Sequence, residues 1–336
     1  MSIVNAVTIF AENLQGANLV VGNTSSNLTV TANSIAISIG NVTINSTAIR
    51  VGNATHNTTI NATALTTNSI TVNTVSYTTV VGDTVLVDYQ VFTNPLVANF
   101  WYKPAWAQAN DIVTIQMWGG GGGGYSSANL SGSGGGGACV IVNKLAGECN
   151  SVCNVVVGSG GLGANTGAST VGQTSIFWSN SSFSISAYGG GAGLAGGGGG
   201  GGWFGVGVSG NTITGGAGGS PLGGTVATPG TASTFGGGGG ANGGVVGNGG
   251  ASVYGGGGGS TGGGSMAGGS SIYGGAGGSA TINVATSIFG GNGGNNTTLA
   301  SSPGGGGGVI TQPTANVTGM NGGRGEVRIW ITGQAR

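Results

Sequence analysis

Six glycines stand between two aromatic rings in WGGGGGGY, residues 118–125, directly after the strand-like run DIVTIQM. Further uninterrupted tracts follow at 134–137, 196–202, 236–240, 255–259 and 304–308. Glycine loses more conformational freedom on folding than any other residue. Such tracts are therefore either unfolded spacers or a structure that requires the absence of Cβ. Collagen is excluded, because glycine does not recur at every third position and proline is scarce. A flexible linker would mix glycine with serine or charge and carry no aromatics, whereas here an aromatic caps most tracts. What remains is an extended threefold helix of the polyproline II type built from glycine, with no internal hydrogen bonds. Its N–H and C=O groups point outward, so only neighbouring helices can satisfy them. The tracts thus predict a packed polyglycine bundle; disordered low-complexity loops are the alternative.

A second pattern favours the bundle. Ser186-Ala-Tyr188, Ser233-Thr-Phe235, Ser252-Val-Tyr254, Ser271-Ile-Tyr273 and Ser287-Ile-Phe289 are each followed at once by Gly-Gly. A linker free to drift would not keep Tyr188, Phe235, Tyr254, Tyr273 and Phe289 in this frame. Charge agrees: the chain has six basic and six acidic residues, and none lies between 149 and 323. A charge buried between packed backbones would be costly. Zero net charge without a basic run argues against nucleic acid as a partner.

All but five of the 82 glycines follow Trp118, so the chain has two chemically distinct parts. Within the first third, residues 1–75, positions 20–75 are almost entirely small, polar and β-branched, with period-two alternation at Ile35–Ile39 and Val42–Ile44. A [VI]-G-[ND] element recurs at Val21, Ile39, Val51 and Val81, at spacings that are all multiples of six. Each apolar row is too narrow to offset its ordering entropy in one copy. This third is expected to be the β-rich fibre shaft or attachment segment of a homotrimer, the alternative being a disordered Asn/Thr-rich leader. Residues 76–96 are expected to be a β connector. Residues 97–336 are expected to form one glycine-rich domain, opened by a strand at 111–118 and closed by its partner at 325–332. The expected fold class is mostly β, with essentially no helix.

Chemistry-bearing residues are few. His56 is the only histidine and lies in the Asn/Thr repeat with no second ligand nearby. Nucleophilic triads need a base, glycoside cleavage needs paired carboxylates in a polar setting, and no glycine run leads to Gly-Lys-Ser/Thr. An enzyme is not expected, nor a cofactor or metal. The three cysteines have C-x9-C-x3-C spacing, which matches no common zinc pattern. Residues 138–158 read as a hairpin turning near Ala146-Gly147, which would place Cys139 opposite Cys153. Either a disulfide between those two or buried free thiols follows. The N-terminus lacks the basic and apolar regions of a signal peptide, and no stretch is long and apolar enough to span a bilayer as a helix. Synthesis in a cytoplasm without membrane insertion is the expectation. The Asn-x-Ser/Thr triplets from Asn23 to Asn61 then read as turn and ladder chemistry.

The run NFWYKPAWAQANDIVTIQMWGGGGGG, with the closing Arg324-Gly-Glu-Val-Arg-Ile, resembles the glycine-rich domains of bacteriophage tail-fibre proteins and adhesins. In those proteins a Trp-x-Lys-Pro turn and a strand precede the first glycine tract. The resemblance covers residues 97–333. It implies a virion fibre that mounts on another virion protein through its N-terminus. A host-surface receptor, protein or glycan, would be contacted by loops between the tracts. Those loops would be Trp203–Thr214, Ser220–Thr234, Thr261–Ala267 and Asn295–Pro303, with Trp203, Phe204, Leu222 and Leu299 as apolar anchors. Trp203 and Phe204 could equally cap the bundle. A purely structural head or collar fibre is the alternative reading, and an ice-binding glycine-rich protein a further one.

Overall fold

The computed structural model describes residues 85–95, 97–127, 130–180, 183–262, 266–280, 282–309 and 319–334, and three short strands nearer the N-terminus. The chain divides into two compact units, Met1–Thr71 and Val72–Arg336. In the first, β1 (Val42–Ile44), β2 (Ile49–Val51) and β3 (Thr59–Ile60) form an antiparallel sheet, with Val42 opposite Val51 and Ile49 opposite Ile60. The remainder of the expected shaft, His56 included, lies outside the described residues.

The second unit is built on two four-stranded antiparallel sheets. One has the order β4 (Val85–Phe92), β13 (Glu326–Gln334), β6 (Ile112–Trp118), β9 (Cys139–Leu145). The other runs β12 (Phe183–Ala187), β11 (Ser175–Asn180), β10 (Val152–Val156), β5 (Asn99–Tyr102). A two-residue ribbon of β7 (Tyr125–Ser126) and β8 (Ser131–Gly132) lies apart from them. Period-two alternation decides which side chains enter the core. Val113, Ile115 and Met117 of β6 pair with Ile331, Ile329 and Val327 of β13, and all six are fully buried. Trp101, Cys153, Val155, Phe177 and Ile185 of the other sheet join the same core, so the two sheets face each other as a sandwich. The opening and closing strands of the glycine-rich domain are therefore neighbours in one sheet.

The segment expected as a β connector supplies β4, which pairs over its whole length with β13, from Phe92 opposite Val327 to Val85 opposite Gln334. It is an edge strand of the sandwich. The cysteine segment is not a hairpin, because β9 pairs with β6 while β10 pairs with β5 and β11. Between them the three-residue 3-10 turn Ala146–Glu148 carries the chain from one sheet to the other. Cys139 and Cys153 thus lie in different sheets, and all three cysteines are free and buried.

Candidate binding surface: a polyglycine bundle and its two ends

The strands β6, β9, β10, β12 and β13 each meet a glycine segment at one end, directly or after a single residue. The tract 119–124 shows how these pack. Gly119 and Gly122 donate to Ala138 and Gly135, Gly120 and Gly123 to Gln173 and Thr170, and Gly121 and Gly124 to Gly323 and Met320. The carbonyls of Gly120 and Gly123 accept from Gly190 and Gly193, those of Gly121 and Gly124 from Gly161 and Ala164, and that of Gly122 from Gly307. These bonds measure 2.8–3.0 Å. Every third residue addresses the same neighbour, as a threefold helix requires, and six neighbours surround the rod. The tracts 133–138 and 196–202 repeat the scheme: Gly197 and Gly200 donate to Ala241 and Gly238, and Gly198 and Gly201 to Ser133 and Gly136.

The same period explains why side chains are forbidden here. A Cβ on Gly119 or Gly122 would lie within 3.0 Å of the Tyr188 or Gly191 carbonyl, one on Gly120 or Gly123 against Ser159 or Leu162, and one on Gly121 or Gly124 against Gly305 or Gly308. Positive φ is not the reason, since among the described glycines only Gly167, Gly244, Gly262 and Gly304 have it. Close approach of backbones on every side is. Where serine replaces glycine in a rod, its hydroxyl takes part in the network: Ser133 Oγ donates to Gly278 (2.6 Å) and accepts from the Ser260 amide (2.8 Å). Ser175 Oγ joins bundle to sandwich, donating to the Trp118 carbonyl (2.6 Å) and accepting from the Gly158 amide (2.9 Å).

Successive rods alternate in direction, so their turns fall at two ends. The S-x-aromatic-G-G turns all lie at the sandwich end. Ser233, Ser252, Ser271 and Ser287 form parallel bridges one to the next. Ser252 Oγ donates to Gly236, Ser271 Oγ to Gly255 and Ser287 Oγ to Gly274, at 2.6–2.8 Å. Each hydroxyl thus binds the first glycine after the preceding aromatic. The rings of Phe235, Tyr254, Tyr273 and Phe289 stack in order, with centroids 5.5, 5.0 and 5.1 Å apart and planes within 11°. Tyr188 is not a rung of this ladder. Ser186 belongs to β12 and pairs with Ile176, and the Tyr188 carbonyl accepts from Ala138 at the point where strand becomes rod.

The expected anchors separate accordingly. Trp203 is half-buried: its Nε1 donates to the Cys139 carbonyl (3.2 Å) and its ring packs on Phe235 and Tyr254, closing the ladder against the sandwich core. Phe204 and Leu222 are 70% and 89% exposed at the same end, and the Phe204 amide donates to Ser220 (2.8 Å). Leu299, 74% exposed, belongs to the opposite, distal end. The four residues do not form one patch.

The distal end is made of the turns near 211–214, 242–247, 282–284 and 295–299. Asx geometry pins them: Asn211 Oδ1 accepts from the Ile213 and Thr214 amides, and Asn295 Oδ1 from those of Thr297 and Thr298, at 2.7–2.9 Å. Thr261 Oγ1 lies 2.9 Å from the carbonyls of both Asn242 and Val245, and Asn295 Nδ2 donates to Ile282 (2.7 Å). Above this braced layer stand Ile213, Val245, Val246, Ile282 and Leu299, all exposed. Except for Leu299, sequence reading missed them. The available signal was the repeat itself: if S-x-aromatic-G-G marks one end, the midpoints between repeats mark the other. No charged side chain belongs to this end, so its recognition chemistry is aliphatic contact plus amide and hydroxyl hydrogen bonds.

A two-sheet sandwich whose strands run out into a hydrogen-bonded glycine bundle defines a glycine-rich β domain. The chain belongs to the family described as Glycine-rich domain, whose model matches residues 96–332. No curated protein matches the chain.

Proposed function

We propose that this is a bacteriophage virion fibre protein, a tail fibre or receptor-binding adhesin that contacts the host through the distal end of its polyglycine bundle. The observation that carries this reading is the set of exposed, uncharged aliphatic tips held on braced turns at that end. A surface protein without a partner would gain nothing from exposing Ile213, Ile282 and Leu299 together. Because the rods beneath them leave few backbone groups free, little ordering entropy is lost on binding. The N-terminal unit supplies trimerisation and attachment to another virion protein in this reading.

The test is retention of the purified full-length chain on susceptible host cells. Saturable binding is expected, with loss in the triple variant Ile213→Asp, Ile282→Asp, Leu299→Asp at unchanged thermal stability. Absence of binding to every susceptible strain would contradict the adhesin reading and favour a purely structural fibre. Immunogold labelling of particles then distinguishes tail tip from head or collar.

A further inference from the structure

Four Asn-Gly pairs occur in the sequence: Asn242-Gly243, Asn248-Gly249, Asn292-Gly293 and Asn321-Gly322. An asparagine followed by glycine carries its own reaction partner. The next amide nitrogen can close a five-membered ring on the side-chain carbonyl carbon, with no Cβ in the way. The fold holds three of the four pairs shut. The Gly249 amide donates to Ala267 (3.0 Å), that of Gly293 to Ala285 (3.0 Å) and that of Gly322 to Gly161 (2.9 Å). Their asparagines are held as well: Asn248, Asn292 and Asn321 Oδ1 accept from the Ala267, Ser287 and Gly163 amides at 2.8–2.9 Å. A Cβ on these glycines would run into the Gly258, Gly277 and Gly121 carbonyls, so other segments pack directly on them. Ring closure there requires the glycine to leave both its hydrogen bond and its packing.

Asn242-Gly243 differs in each respect. It opens a distal turn, and the Gly243 amide has no acceptor among the described residues. Asn242 Oδ1 accepts from the Gly215 amide over a longer 3.2 Å. A Cβ on Gly243 would have no neighbour nearer than the Thr212 carbonyl at 3.0 Å, and Gly244 after it, at φ +76°, has open space around it.

We propose that Asn242 is a deamidation site, where the folded chain turns an asparagine of its distal end into aspartate and isoaspartate. The Gly243 nitrogen attacks Asn242 Cγ. A C–N bond forms, the Cγ–Nδ2 bond breaks, and ammonia leaves with the proton that the Gly243 amide gives up. One water then opens the succinimide, at Cγ to give aspartate or at the Asn242 backbone carbonyl to give isoaspartate. One water is consumed, one ammonia is released, and nothing is oxidised or reduced. Either product puts a carboxylate beside the exposed Val245 and Val246, in a stretch that carries no charge from 149 to 323.

The experiment incubates the folded full-length chain at mildly alkaline pH, beside a denatured sample that is run until all four pairs have converted. Peptide mass spectrometry reads each site, with isoaspartate separated from aspartate by chromatography. In the folded chain Asn242 is expected to convert at least about tenfold faster than Asn248, Asn292 and Asn321, whose reaction waits on opening of the bundle. Gly243→Ala, whose methyl hinders the attack, should slow Asn242 and leave the other three as they were. Survival of Asn242 through the incubation, conversion of any of the other three at a matching rate, or an unchanged rate in Gly243→Ala would each overturn the proposal.

Discussion

The indole Nε1 of Trp118 donates a 2.7 Å hydrogen bond to the carbonyl of Tyr273, 155 residues further along the chain. Trp118 is the last residue of β6 and fully buried, and Tyr273 is a middle ring of the aromatic ladder. On its other side the Arg328 guanidinium lies 4.8 Å from the Trp118 ring centroid. One side chain therefore ties sheet, bundle and ladder together. Trp118→Phe keeps the apolar body but strands the Tyr273 carbonyl. It is expected to cost about 2–3 kcal/mol, seen as a lower denaturant midpoint at unchanged slope.

Rod glycines should be intolerant for a reason specific to packing. Gly122→Ala places a Cβ against the Gly191 carbonyl, which belongs to another rod and cannot move aside. The expected loss exceeds about 3 kcal/mol, above ordinary overpacking. At Gly205 the nearest atom to a new Cβ is Ser220 Oγ at 3.2 Å, the end of a rotatable side chain. Gly205→Ala should change stability by less than about 1 kcal/mol. Equal effects at the two positions would refute close backbone packing.

The ladder serines bear a similar test. Ser271 is buried and its Oγ donates to Gly255 at 2.8 Å. Ser271→Ala leaves that carbonyl without this donor and is expected to cost about 1–3 kcal/mol. Tyr273→Leu at the next-but-one residue removes two ring stacks, each worth about 0.5–1.5 kcal/mol. Both are read by thermal unfolding.

Asp88 gives a pH dependence of defined sign. It pairs with Ile331 in register, and burial holds its carboxyl above the ordinary 3.8 against the lowering effect of Gln90. The native state then binds the proton more tightly than the unfolded chain, so stability falls as pH rises from about 3.8 through the raised value. Asp88→Asn should flatten that fall and stabilise the protein at neutral pH. An unchanged pH profile in the variant would show that another group is responsible.

If the distal end is the host-binding surface proposed above, its binding should be nearly independent of ionic strength. No charged residue lies between 149 and 323, so there are no ion pairs there for salt to screen. Cell retention is expected to vary by less than about twofold between low and high salt, where steered association falls steeply.

Much of this fold was legible in the sequence because it rests on periods. Val113, Ile115 and Met117, and Val327, Ile329 and Ile331, alternate with polar neighbours, and their pairing follows from opening and closing one domain. The bundle was legible as the favoured reading because tracts bounded by aromatics in a fixed frame suit packed backbones better than disordered loops. What escaped depends on long-range placement. Cys139 and Cys153 look like hairpin partners, but the rods return the chain to the sandwich so that Cys139 sits opposite Trp118 instead. Tyr188 has the repeat's residues, yet its neighbours pair with β11 rather than with another turn. Phe204 and Leu299 look equivalent as loop residues, and only rod direction separates their ends.

The central claim is that the glycine tracts are hydrogen-bonded structure, and amide hydrogen exchange across residues 196–202 tests it most directly. Every amide from Gly196 to Gly202 has a backbone acceptor at 2.7–3.0 Å in the bundle. The account predicts exchange as slow as that of the sandwich strands β6 and β13, opening only with global unfolding. Exchange at the rate of an unstructured glycine peptide, while β6 and β13 stay protected, would contradict it.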